Sequence, residues 1–145
     1  AVGDFVLTAG MEFDPQADRH IAGLVIQGDD GRRAAFGLLS ASGPRGSFRG
    51  MVPGVDDPKT LELDQTVLAY EESAVVLRIE RNRDVFELAY SADGTTFTRV
   101  GTVTTNLSDT VRVGVGAATS EDCNRDCTLI APADFDFFEL SEVAR

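Results

Sequence analysis

The sequence predicts an all-β protein: an antiparallel β-sandwich of about nine to twelve short strands with no substantial helix. Three observations carry that reading. Apolar and polar residues alternate with period two through several segments. Clusters of Gly, Pro, Asp, Asn and Ser separate these segments at intervals of about 8–12 residues. No segment keeps a helical apolar period between caps.

The elements follow in order. Phe5, Leu7, Ala9, Met11 and Phe13 fall on one face, and Val6, Thr8, Gly10 and Glu12 on the other, until Asp14-Pro15-Gln16-Ala17-Asp18 ends the strand. Ile21–Gln27 is apolar and β-branched, and Gly28-Asp29-Asp30-Gly31 turns it into a hairpin partner over Arg33–Leu39. Ser42–Gly46 is the next turn and Ser47–Met51 a short strand. Val52–Asp64 is irregular, with Pro53, Gly54, Asp56, Asp57 and Pro58 in a long loop and Leu61 and Leu63 returning to the sheet. Val75, Leu77 and Ile79 then alternate with Val76, Arg78 and Glu80. Asn82-Arg83 turns the chain into Val85–Tyr90. Ser91-Ala92-Asp93-Gly94 is a hairpin turn, because Gly tolerates the positive φ it demands. Thr96–Val103, Val111–Ala117 and Phe135–Leu140 complete the set. Alternation assigns Phe5, Leu7, Phe13, Leu24, Ile26, Leu77, Ile79, Phe86, Leu88, Val113, Val115, Phe135 and Phe137 to the inner faces.

The chain has 145 residues, 43% of them hydrophobic, enough for one real core and one domain over residues 1–145. The net charge of −11 and pI near 4.4 argue against a nucleic-acid partner, which needs a basic face, and against docking on an anionic membrane. No apolar run of about 18 residues exists to span a bilayer as a helix. The chain begins at Ala1 rather than Met, as expected of a mature, processed or excised chain, in which a signal would already be gone. One Lys (Lys59) against twelve Arg fits a GC-rich bacterial source.

The two cysteines, Cys123 and Cys127, supply only two ligands of a metal site that wants four, and C-x-x-x-C is not a C-x-x-C redox pair. Exposed thiols in a polar loop are a liability. The expectation is a local disulfide, and with it an extracytoplasmic, secreted location.

The segments GDFVLTAGMEFDP (Gly3–Pro15), AGLVIQGDDGRRAAFG (Ala22–Gly37), VVLRIERNRDVFELAYSADGTTFTRVG (Val75–Gly101), VRVGVGAATS (Val111–Ser120) and ADFDFFEL (Ala133–Leu140) occur in that order. Their order and spacing resemble the concanavalin A-like lectin/glucanase jelly roll. More narrowly, they are similar to the domain at the C-terminus of family 43 glycoside hydrolases such as β-xylosidases, which recurs in secreted bacterial polysaccharide-active proteins. Two departures stand out. Members usually carry Trp where Phe97 stands. They also have one or two strands ahead of the one starting here at Asp4, so either the first strands are missing from this chain, with a flanking domain or partner strand completing the sheet, or another segment fills their place.

Asp134, Asp136 and Glu139 form D-x-D-x-x-E, similar to the paired carboxylates of glucanases on the same superfold. Asp134 and Asp136 share a strand face, and Glu139 faces the other way unless a bulge intervenes. The competing reading is an ordinary strand with Phe135 and Phe137 in the core. Turn aspartates offer hard oxygen ligands, and a calcium ion would take Asp14 or Glu12 with Asp134 or Asp136, since first and last strands often lie side by side. No other cofactor is indicated. His20 stands at a strand start and no Gly-x-Ser-x-Gly elbow accompanies it.

Sugar binding needs aromatic platforms beside planar polar groups. Without Trp, the aromatic candidates are Tyr70, Tyr90, Phe48, Phe36 and Phe97, and Gln27, Asp29, Asp30, Arg33, Arg45 and Arg49 are the polar ones. The expected ligand set is Phe48, Arg49, Asp29, Asp30, Gln27 and Tyr90, on loops joining the second to fourth strands. The acidic surface favours neutral polysaccharides over anionic ones. The leading expectation is a non-catalytic carbohydrate-binding or accessory module of a secreted bacterial polysaccharide-active protein. The alternatives are a ligand-free interaction module that completes its sheet with a partner segment, and a glucanase-like hydrolase.

Overall fold

The computed structural model describes residues 1–13, 20–29, 33–40, 46–52, 61–62, 69–70, 72–104, 106–119 and 133–143. The strands are β1 (Asp4–Phe13), β2 (His20–Gly28), β3 (Arg33–Ser40), β4 (Gly46–Val52), β5 (Leu61–Glu62), β6 (Ala69–Tyr70), β7 (Ala74–Asn82), β8 (Val85–Ser91), β9 (Thr98–Thr104), β10 (Val111–Thr119) and β11 (Ala133–Val143). No helix occurs among the described residues. All pairings are antiparallel. One sheet runs β11-β1-β7-β8-β9, the other β10-β2-β3-β4-β5, with β6 also on β4. The expected strands are all present. The two-residue β6 was not foreseen, because a segment that short carries no alternation.

The core lies between the sheets and follows the alternation. Phe5, Leu7, Ala9, Met11 and Phe13 of β1 are buried, with Leu24 and Ile26 of β2, Leu77 and Ile79 of β7, and Phe86 and Leu88 of β8. Each of these side chains other than Ala9 contributes about 1.5–3 kcal/mol by leaving water. Two expectations fail. Val115 and Phe137 are each 39% exposed. Val115 shares a rung with buried Leu24, but it stands on an edge strand with little over it. Phe137 changes face. The β1–β11 register slips between Gly10 and Met11, so Phe135 opposes Met11 while Phe137 opposes Gly10 on the outer face. This bulge inserts one residue and reverses the phase of everything after it. Gly10 makes room for the displaced ring: a Cβ there would lie 2.7 Å from Phe137 Cδ1.

Two turns need left-handed backbone. Gly94 has φ of 79° in the β8–β9 connection, as its sequence requires, and Arg83 has φ of 56° in the β7–β8 turn. The latter is held by Asp4, whose Oδ1 accepts the Arg83 amide at 2.6 Å.

Arg81 is 2% exposed, a charged side chain inside the core. Its Nε donates to Arg83 O at 2.9 Å, Nη2 to Leu107 O at 3.1 Å and Nη1 to Asp109 O at 3.3 Å, and the guanidinium lies 5.4 Å from the Phe86 ring centroid. One planar cation thus satisfies three carbonyls and fixes the 106–110 segment that leads from one sheet to the other. Arg81→Met should destabilise by about 2–4 kcal/mol in urea unfolding, since the buried Leu107 carbonyl loses its donor and the segment it anchors is released. Arg81→Lys should fall between, having one donor centre for three acceptors.

Gly23 and Gly37 face one another across β2 and β3. A Cβ on Gly23 would run into the Phe36 carbonyl oxygen and sit 2.5 Å from Gly37 Cα, whereas a Cβ on Gly114 meets nothing within 4 Å. Gly23→Ala should cost about 2 kcal/mol or more, because backbone rather than a rotatable side chain blocks it. Gly114→Ala should stay within about 0.5 kcal/mol of the parent. Equal costs in thermal unfolding would show that the strands separate freely at Gly23.

Candidate ligand-binding surface

The expected ligand residues do not form one patch. Gln27 sits at the end of β2, half-buried, on the rung of Arg33 and of exposed Arg112. Asp29 follows in the turn, exposed, and its amide donates to Ser108 Oγ at 3.0 Å, which itself donates to Thr110 O at 2.8 Å. The 106–110 segment therefore holds the turn, and Gln27, Arg112 and Asp29 gather at one end of the six-stranded sheet. Arg112 was missed in the sequence. Its signal was the outward position in Val111-Arg112-Val113, on a strand whose neighbour only topology supplies.

Phe48 and Arg49 lie within β4 rather than on a loop, opposite Leu38 and Gly37. Along β3, Leu38 is five residues from the Arg33 rung of Gln27, about 16 Å at strand rise. Tyr90 belongs to the other sheet, on β8. Its ring meets Tyr70 edge-on, with centroids 5.5 Å apart and planes at 80°. Tyr70 is only 6% exposed and donates its hydroxyl to Ala74 O. Burial, and after it the Glu72 charge, push its phenol above the ordinary value. Phe36 is 1% exposed. Tyr70 and Phe36 are thus core residues, not sugar platforms. Phe97 is half-buried with the Arg78 guanidinium 4.2 Å above its ring centre. Asp30 and Arg45 lie outside the described residues.

The carboxylates of the last strand are exposed at the sheet edge. Asp134 opposes Glu12 and Glu139 opposes Thr8, so the bulge does bring both to the outer face. Glu12 and Thr8 are four residues apart, which sets Asp134 and Glu139 about 13 Å apart along the strand. A retaining pair needs about 5–5.5 Å and an inverting pair about 6.5–9.5 Å. For calcium, Asp14 lies outside the described residues, and among those described no three His, Cys, Asp or Glu side chains converge as a metal site. Cys123 and Cys127 also lie outside them.

The β8–β9 loop holds the most perturbed carboxylate. Asp93 Oδ1 accepts the amides of Thr96 at 2.9 Å and Thr95 at 2.8 Å and the Ser91 hydroxyl at 2.9 Å, while Ser91 Oγ accepts the Gly94 amide at 2.9 Å. These bonds favour the charged form and hold the carboxyl far below its ordinary range, the Thr96 amide foremost. A depressed folded pKa gives stability that is full above the unfolded value of about 4 and lost as pH falls toward the folded one. The stability gap between the parent and Asp93→Asn should therefore be widest above about pH 5 and close as pH drops below 4. A gap unchanged by pH in chemical unfolding would mean that the charge does not hold the turn.

Two antiparallel sheets, with the last strand beside the first and a core between them, define a concanavalin A-like sandwich. The chain belongs to the β-xylosidase C-terminal concanavalin A-like domain family, whose model matches residues 3–141. No protein of curated function matches the sequence. Among solved structures, 96% of the chain is similar to 28% of a xylan β-1,4-xylosidase from Bacillus halodurans C-125, at 21% identity and a TM-score of 0.69. Similarly, 98% of it matches 18% of the bifunctional GH43-CE protein of Bacteroides eggerthii, at 14% identity and a TM-score of 0.74. The whole chain matches 72% of a functionally unknown protein from Saccharomyces cerevisiae, at 17% identity and a TM-score of 0.72. The chain thus spans under a third of the first two relatives, and at these identities the likeness is one of fold.

Proposed function

We propose that this domain is a non-catalytic, carbohydrate-binding accessory module of a secreted bacterial glycoside hydrolase. The observation that carries the reading is family membership over residues 3–141, in a fold that makes up 28% of a xylan β-1,4-xylosidase chain. Asp134 and Glu139, about 13 Å apart along the strand by their rungs on β1, do not serve as a hydrolytic pair with each other. The Cys123–Cys127 loop, read as a disulfide, supports an oxidising compartment.

The ligand is a neutral polymer of the xylan, arabinan or glucan type, because a chain of net charge −11 repels anionic glycans. The end of the six-stranded sheet is the better site, where Gln27 and Arg112 share a rung and Ser108 fixes the Asp29 turn. An amide, a guanidinium and a carboxylate held this way offer donors and acceptors to ring hydroxyls. Calorimetric titration with neutral oligosaccharides should show weak binding that Gln27→Ala with Arg112→Ala reduces at least about 10-fold. Phe48→Ala with Arg49→Ala should leave it unchanged, and the chain alone should release no sugar from xylan. The reverse pattern moves the site to β4. Loss of binding on calcium chelation would assign Asp14, Asp134 and Asp136 a ligating role. No binding across the panel ends the carbohydrate reading.

A further inference from the structure

Beside the Gln27–Arg112 pair, the outer face of the six-stranded sheet drops to a low apolar step. Leu24 and Ile26 of β2 and Val111 of β10 are buried between the sheets, so Gln27, Val25, Arg112 and Gly114 alternate to the outer face. Arg112 and Gln27 share one outward rung. On the next, Gly114 pairs with Val25, and Val25 with Ala35 of β3. The two rungs are two residues, or about 7 Å, apart along the strands. The second carries no polar side chain, and its three residues are half-buried.

The fold gives no reason for a glycine at 114. In a strand interior glycine weakens the strand, and it marks a bulge, a tight bend, crowding by another backbone or the close approach of a ligand. The β10–β2 pairing runs through Gly114 without a register shift. Its φ is not positive. A Cβ there meets nothing within 4 Å among the described residues, whereas a Cβ on Gly116 would lie 3.6 Å from Val25 Cγ2. Val25 therefore reaches toward Gly116 and leaves the position over Gly114 open. Gly101 has equally open space but stands where the β8–β9 register shifts, which accounts for it. At Gly114 the approach of a ligand is the reason that remains.

We propose, on the premise that sugars bind at Gln27 and Arg112, that Gly114 is a specificity-determining position of that site and keeps open a second subsite. One ring of a neutral oligosaccharide lies over Gly114 with its C–H face against Val25. The neighbouring ring takes hydrogen bonds from the Gln27 amide and the Arg112 guanidinium. From Asp29 in the turn to Val25 is four residues, about 13 Å at strand rise, longer than one sugar ring. The ligand is accordingly a linear oligosaccharide running along β2, not a monosaccharide.

The test is calorimetric titration of the full chain with xylotetraose, arabinotetraose and cellotetraose, each against its monosaccharide. At least one tetrasaccharide should bind at least about 10-fold tighter than its monosaccharide. Gly114→Leu should weaken that tetrasaccharide at least about 10-fold, and Gly114→Ala by less. Gly101→Leu, on the other sheet, should leave it unchanged. The melting temperature of Gly114→Leu should match the parent's, and the backbone amide signals of Gly114 and Val25 should shift when the tetrasaccharide is added. Full binding by Gly114→Leu, with binding lost in Gln27→Ala with Arg112→Ala, would overturn the subsite alone and leave sugar binding standing. Equal affinity for monosaccharide and tetrasaccharide, or equal losses from Gly114→Leu and Gly101→Leu, would overturn it too. So would a loss of binding that comes with unfolding, which gives Gly114 a packing role. No binding of any sugar would overturn both the subsite and its premise.

Discussion

The guanidinium of Arg81 is the constraint on which the connection between the sheets depends. A buried cation is tolerated only where acceptors surround it, and Arg81 finds them in the carbonyls of Arg83, Leu107 and Asp109. Holding Leu107 and Asp109 fixes the 106–110 segment. That segment holds other elements in turn: the Asp109 carbonyl also accepts the Gly3 amide, Thr110 bridges Val2, and Ser108 ties the Asp29 turn. One side chain at the end of β7 thereby sets the approach of the N-terminal residues, the entry of β10 and the position of the candidate ligand turn.

β1 is the second organising element. It lies between β11 and β7, and its five inward residues from Phe5 to Phe13 sit at the centre of the core. Its one inward–outward irregularity, the slip at Gly10/Met11, decides the character of the sheet edge. Before the slip, Phe135 packs against the core. After it, Phe137 covers Gly10 outside, and Phe138 and Leu140 take the inner positions at an edge with little above them. One inserted residue thus puts Phe138, Leu140 and Glu142 at inner-face positions and Phe137, Glu139, Ser141 and Val143 at outer ones.

These features give the domain two different surfaces. The end of the six-stranded sheet carries a polar cluster of Gln27, Arg112 and the Ser108-held Asp29 turn. The β10–β11 side carries the exposed Phe138, Leu140 and Val115. Both belong to a member of the β-xylosidase C-terminal concanavalin A-like domain family.

The sequence by itself determined the sandwich, because alternation is local: Phe5 to Phe13, Val75 to Ile79 and Phe86 to Leu88 place their apolar residues at every second position, and a buried face follows. It also determined the Asp93-Gly94 turn, where the side-chain acceptor and the positive φ lie within a few residues. The family was legible for the same reason, since its segments are contiguous. Tertiary structure alone decided what depends on pairing between distant strands. Nothing local marks the extra residue at Asp136, so alternation wrongly sent Phe137 inward. Nothing local joins Gln27 to Arg112 or separates it from Phe48, since those relations are set by the strand order β10-β2-β3-β4. The buried role of Arg81 was equally invisible, because its acceptors are carbonyls that every residue carries, and only the folded chain brings Leu107 and Asp109 within reach.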